Sequence, residues 1–135
     1  MGTKIFVNLP VRDLPASMAF YRALGFSFNP HFSDETAACL VISDDNYVML
    51  LTHEKFQGFS GAPIPDARSS TGLMIAIALA GKAEVDQMAK TAVAAGGGEP
   101  RPAMDMGFMY TRTISDPDGH RWEPFWMDPA AIPQG

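Results

Sequence analysis

Lys4-Ile5-Phe6-Val7-Asn8-Leu9-Pro10-Val11-Arg12-Asp13-Leu14 is the stretch that decides how the rest of the chain is read, because it passes directly from a strand pattern to a helix start. Lys4 to Val11 alternates β-branched and other apolar residues over a short span, which predicts a strand. Asp13 is then a helix cap, Pro15 is tolerable in a first turn, and Met18, Tyr21 and Leu24 fall along one stripe before Gly25 stops the helix. Working outward, Phe26 to Phe32, Ala37 to Ile42 and Tyr47 to Thr52 are strand-length apolar runs. The turn-forming Ser43-Asp44-Asp45-Asn46 separates the last two. The first half therefore reads β-α-β-β-β.

The same order recurs downstream. Leu73 to Leu79 repeats the first strand, Glu84 to Ala95 places Val85, Met88 and Ala92 at helical spacing, and Gly96-Gly97-Gly98 ends that helix. Glu99 to Pro102 reads as a short edge segment, Met109 to Ser115 as a strand and His120 to Trp126 as the last one. Between those two strands Asp116-Pro117-Asp118-Gly119 is a tight turn, to which no chemical role is assigned. The segment from His53 to Ser70, rich in Gly, Pro, Ser and Asp with Phe56, Phe59 and Ile64 among them, reads as a connecting loop. The expected fold is α+β: residues 1–135 as a single domain of two βαβββ modules, about 3–52 and 72–127, joined by a loop over 53–71. Neither unit is large enough to bury its own sheet face, so the expected result is a curved mixed sheet around a cavity.

Composition excludes several classes of function. A hydrophobic fraction of 47% with 19% charged residues matches an ordinary globular chain. A net charge of −5, with the Lys and Arg scattered, argues against a nucleic-acid surface. The longest purely apolar run, Leu73 to Ala80, is far short of the ~20 residues of a membrane span. The amino-terminal Met-Gly-Thr-Lys lacks the features of a signal peptide, so a cytoplasmic location is expected. Cys39, the single cysteine, reads as core. There is no Gly-x-Gly-x-x-Gly, Walker loop or Gly-x-Ser-x-Gly elbow.

Leu9-Pro10-Val11-Arg12-Asp13-Leu14 followed by Phe20-Tyr21 and Leu24-Gly25 resembles the opening of the vicinal oxygen chelate superfamily, and Asp116-Pro117-Asp118-Gly119 with Trp122-Glu123 resembles its close. That superfamily includes glyoxalase I, extradiol dioxygenases and bleomycin- and fosfomycin-resistance proteins. The match spans roughly Lys4 to Trp126. Metal-using members hold one divalent ion with His, Gln or Glu side chains from equivalent strands. By that resemblance the first-strand slot falls on Phe6, its fourth-strand counterpart on Leu50, the fifth-strand slot on Met74 and the last on Glu123. Only Glu123 is a fitting ligand, since a thioether is soft and the other two are inert. No metal ligand set is assigned. The alternation of strands also turns His53 and His120 away from the cavity, and His31 carries no sharper reading.

What remains is an apolar wall with few polar groups: Phe6, Leu50, Met74, Met109 and Phe125, with Asn8, Thr52, Tyr110, Arg121 and Glu123 among them. That composition suits a small, partly apolar organic ligand. Met104, Met106 and Met109 beside Phe108 and Tyr110 suit an adaptable wall, though ordinary core packing explains them as well. Glu123 is the candidate catalytic residue, a carboxyl among Phe and Met able to act as acid or base; a structural ion pair with Arg121 or Arg112 is the alternative. Trp122 and Trp126 alternate away from Glu123 and read as interface or inter-half core.

Three readings compete. The first is a small-molecule binder without cofactor, resembling the bleomycin-resistance type that sequesters an antibiotic at a dimer cavity, with a homodimer implied by the resemblance. The second is a lyase, epimerase or dioxygenase of the glyoxalase I type that needs one divalent metal ion. The third is a metal-free enzyme in which Glu123 moves a proton beside a carbonyl while Asn8 or an arginine holds the oxyanion. Whether the chain is an enzyme stays open at this point, and neither nucleic acid nor a membrane is expected as a partner.

Overall fold

The computed structural model describes residues 2–131. Met1 and residues 132–135, which the 1–135 domain span takes in, lie outside them. The chain divides into two compact units between Asp66 and Ala67.

The first unit runs β1 (Ile5–Val11), α1 (Leu14–Ala23), β2 (Ser27–Asn29), β3 (Ala37–Val41), β4 (Asn46–Thr52) and α2 (His53–Ser60). Asp13 starts α1 as expected, its carboxylate accepting from the Ala16 N–H at 3.1 Å, and Gly25 leaves the helix with φ 101°. The strand expected over Phe26 to Phe32 is cut to three residues. Pro30 cannot donate to a ladder and instead opens a single 3-10 turn over Pro30–Phe32, where the Asn29 side chain accepts from the His31 N–H at 2.9 Å. The strand order is β1-β4-β3-β2, with β1 parallel to β4 and the other pairs antiparallel.

The stretch read as a connecting loop begins instead as the helix α2. The Thr52 hydroxyl caps it by accepting from the Lys55 N–H at 3.3 Å, and Gly61 ends it at φ 67°. The Gly and Ser content of this stretch hides a cap, a Phe56/Phe59 pair at i, i+3 and a glycine stop.

The second unit repeats the order: β5 (Met74–Ala78), α3 (Lys82–Ala94), β6 (Gly98–Asp105), β7 (Met109–Ser115) and β8 (Arg121–Met127). Its sheet is ordered β5-β8-β7-β6, again with the first pair parallel. The edge segment expected over Glu99 to Pro102 extends to Asp105, and its pairing with β7 shifts register twice in the stretch that holds Pro100 and Pro102. The fold is thus α+β with two tandem βαβββ modules, each carrying a four-stranded mixed sheet.

Each sheet has one well-buried face. In the first unit Leu9, Val11, Leu40, Val48 and Leu50 are all at most 2% exposed, and α1 packs on β3 and β4 through Phe20 and Tyr21. In the second unit Trp122 is the largest buried side chain. It stands in register with Ile75 and Ile114 on the face that α3 covers with Val85, Ala89 and Ala92. Trp122 is therefore core of its own module, where the sequence reading gives interface or inter-half core.

Candidate ligand-binding faces

In a strand, neighbouring side chains alternate between faces, so the register decides which residues meet. In the first unit Phe6 pairs with Tyr47, Asn8 with Met49 and Leu9 with Leu50. Phe6 and Tyr47 stack with ring centroids 4.7 Å apart and planes 12° apart. Phe6, Asn8, Tyr47 and Met49 therefore share the face opposite the one that α1 covers. Phe6 is 46% exposed there, and the Asn8 amide bonds no described residue.

Leu50, expected beside Phe6, lies on the other face and is fully buried. The error is one residue. Aligning the turns placed Leu50 opposite Glu123 in the repeat, whereas strand pairing matches Asn8–Met49 with Ala76–Glu123 and makes Met49 the counterpart. Thr52 shares Leu50's parity, and its hydroxyl is engaged as the cap of α2.

Helix α2 closes one end of the open face. Asn8, Leu51, Phe56, Phe59 and Ser60 line a recess of about 290 Å³, and Thr36, Thr52, Glu54, Lys55, Gly58 and Phe59 line another of about 390 Å³. Phe59 belongs to both and is 71% exposed, with the Lys55 ammonium 5.5 Å from its ring centroid. Tyr47, Met49, Phe56 and Ser60 were missed in the sequence. The helical spacing after Thr52 was the signal for the α2 pair.

In the second unit Met74 pairs with Arg121, Ala76 with Glu123 and Ala78 with Phe125; Thr111 pairs with Phe125 and Met109 with Met127. Met74, Met109, Arg121, Glu123 and Phe125, five of the residues expected together, thus share the face opposite α3. Tyr110 does not. One residue from Met109, it points to the helix side, where its hydroxyl donates to Asp86 Oδ1.

That helix side is electrostatically saturated. Arg112 donates from Nε and Nη2 to the two carboxylate oxygens of Glu99 at 2.6 and 2.7 Å, and from Nη1 to Asp86 at 2.8 Å. The guanidinium hydrogen bonds hold the Glu99 carboxyl below the usual range. The Tyr110 hydroxyl and then Arg112 do the same for Asp86, and the Asp86 bond pushes the Tyr110 phenol up. Lys82 covers the rings of Trp126 and Tyr110 at 5.4 and 5.9 Å. Arg112 is therefore committed away from Glu123, which answers the sequence alternative that paired the two.

The remaining sequence candidates have structural places. Cys39 is fully buried, and burial pushes its thiol up, as suits a core residue. Asp116 is buried in its turn and accepts from the Asp118 and His120 N–H groups at 3.0 and 2.8 Å. Among the described residues no three His, Cys, Asp or Glu side chains are placed to hold a metal ion together, and no helix is long and apolar enough to cross a membrane.

The comparisons with known proteins agree with this fold. Residues 3–43 match the family described as bleomycin resistance protein-like N-terminal. No curated protein matches the sequence. A hypothetical protein, SA1046, from S. aureus is 28% identical, with a TM-score of 0.79 over 93% of this chain and 95% of that one. A glyoxalase-related enzyme from Fulvimarina pelagi is 24% identical, with a TM-score of 0.79 over 100% of this chain and 94% of its own. A bleomycin resistance determinant encoded on the transposon Tn5 is 18% identical, with a TM-score of 0.64 over 94% and 99%. The chain therefore has the fold seen in glyoxalase-related and bleomycin-resistance proteins, and within it residues 3–43 match the bleomycin resistance protein-like N-terminal family.

Proposed function

We propose that this chain binds a small, partly apolar organic molecule on the open faces of its sheets, without a resident metal ion. The observation that carries the reading is the first open face: a stacked Phe6–Tyr47 pair beside an Asn8 side-chain amide with no partner among the described residues. Flat apolar surface with a single orienting polar group is what such a ligand needs. Phe125, Met74 and Met109 supply similar surface in the second unit.

The residues do not fit a divalent ion of the kind the fold family uses. Its four equivalent positions carry Phe6, Met49, Met74 and Glu123, a phenyl, two thioethers and one carboxylate. Hard and borderline ions call for several oxygen or nitrogen donors.

The homodimer and the cytoplasmic location belong to the same proposal. Exposed Ile5, Leu73 and Phe108 are apolar surface that a second copy would cover. Sedimentation would check this, with a monomer at all concentrations as the outcome against it.

The test of the main reading is metal content of the untagged chain, followed by thermal shifts with Mn, Fe, Co, Ni and Zn. A library of small organic compounds, metal-free bleomycin among them, is then screened in the same way. Saturable stabilisation by an organic compound with no ion added is the expected outcome. Stoichiometric metal, or ligand binding that requires one ion, overturns it in favour of a metal-dependent lyase, epimerase or dioxygenase.

A further inference from the structure

Resting on the small-molecule reading above, we infer that the open face of the second sheet selects an amphoteric ligand, with an anionic group such as a carboxylate and a cationic amine on a partly apolar body. Arg121 and Glu123 lie two positions apart on β8 and share this face, in register with Met74 and Ala76. Strand geometry sets their Cα atoms about 7 Å apart. Both side chains are half-buried, and neither makes a hydrogen bond or ion pair, with the other or with any other described residue.

The opposite face of the same sheet shows how unusual this is. There Tyr110 donates to Asp86, and Arg112 donates to both Asp86 and Glu99, so the four form one hydrogen-bonded chain. Among the described residues of the open face, the exposed Arg101, in register with Thr113, stands in water, whereas Arg121 and Glu123 are a half-buried cation and anion that pair with no described group. Partly desolvating a charge among Met74, Met109 and Phe125 costs free energy that a counter-charge must offset. Thr111 and Thr113 lie on the same face, and their hydroxyls likewise bond no described group.

Space for a ligand follows from small residues. Ala76 and Ala78 stand beside Glu123 and Phe125 across β5, and both are exposed. A guanidinium takes a carboxylate through two parallel hydrogen bonds, whereas a carboxylate takes an ammonium. A ligand with only one charge would satisfy one residue and leave the other half-buried without a partner. Sites built this way reject the analogue that lacks the group far more strongly than apolar pockets reject a missing methylene.

Calorimetry of the full chain at low ionic strength with four probes tests the assignment: 4-(aminomethyl)benzoate, 4-methylbenzoate, benzylamine and 4-methylphenol. The first should bind at least about tenfold more tightly than each of the others. Arg121→Gln should remove its advantage over benzylamine, Glu123→Gln its advantage over 4-methylbenzoate, and Arg121→Lys should restore part of the first. Unchanged melting temperatures would show the variants folded. Equal binding of 4-methylphenol and 4-(aminomethyl)benzoate overturns the charge assignment and leaves the small-molecule reading standing. No binding of any of the four overturns both.

Discussion

Arg112 grips Glu99 through two parallel hydrogen bonds, Nε to Oε2 at 2.6 Å and Nη2 to Oε1 at 2.7 Å, and so ties β7 to the irregular edge strand β6. Both side chains are about three-quarters shielded from solvent. Arg112→Ala should therefore destabilise the protein by about 1–3 kcal/mol, more than an exposed ion pair would. Arg112→Lys should recover only part of this, because an ammonium has no planar fork. Urea unfolding of the two variants measures the difference, and equal stability of Ala and Lys variants would count against the fork.

The same cluster sets a pH dependence whose sign follows from the directions of shift. The Glu99 and Asp86 carboxyls titrate lower in the folded chain than in the unfolded one. Their stabilisation is present above the unfolded carboxylate range and is lost as pH falls from about 5 through the lower folded values. The Tyr110 phenol is shifted up, so its contribution is full below the unfolded value and is lost as pH rises past about 10. Melting temperature against pH should fall at both ends, and Arg112→Ala should flatten the acid limb.

Gly119 should not tolerate a side chain. Its φ is 93°, and an added Cβ would stand 2.7 Å from the Arg68 backbone N and 2.8 Å from its Cα. Gly119→Ala therefore combines a left-handed penalty with a clash against backbone, and should cost about 2 kcal/mol or more. Gly25→Ala, with a similar φ of 101° and open space around it, should cost less. Thermal unfolding of both variants separates strain from contact.

Phe6 and Leu50 should part company under the same substitution. Leu50→Ala opens a cavity at a fully buried site and should cost about 2–5 kcal/mol. Phe6→Ala, at a site 46% exposed, should cost under about 1.5 kcal/mol yet weaken binding of any ligand found in the screen by about tenfold. Full affinity in Phe6→Ala would remove the Phe6–Tyr47 face from the binding reading.

The elements themselves were legible because their signals are local. Asp13 before Leu14, Gly25 after Leu24, and Asp116-Pro117-Asp118-Gly119 between β7 and β8 each act over a few residues, and the observed caps and turns fall on them. Met109 to Ser115 was bounded to the residue. The helix α2 was hidden because its eight residues include Gly58 and end on Ser60, so its composition matched a loop although its cap and spacing did not.

The order β-α-β-β-β, stated twice, was determined by the sequence alone, since hydrophobic period and turn chemistry are properties of neighbouring residues. Which side chains meet was decided only by tertiary structure. A strand has period two, so a register error of one residue moved Leu50 from the expected wall into the core and put Met49 in its place. Arg112 finds Glu99 and Asp86 thirteen and twenty-six positions away, a pairing that no local pattern contains. Arg121 and Glu123, two positions apart on one strand, were visible from the start; that their side chains pair with no described residue on the open face depends on what the rest of the sheet and α3 bring, or do not bring, within reach.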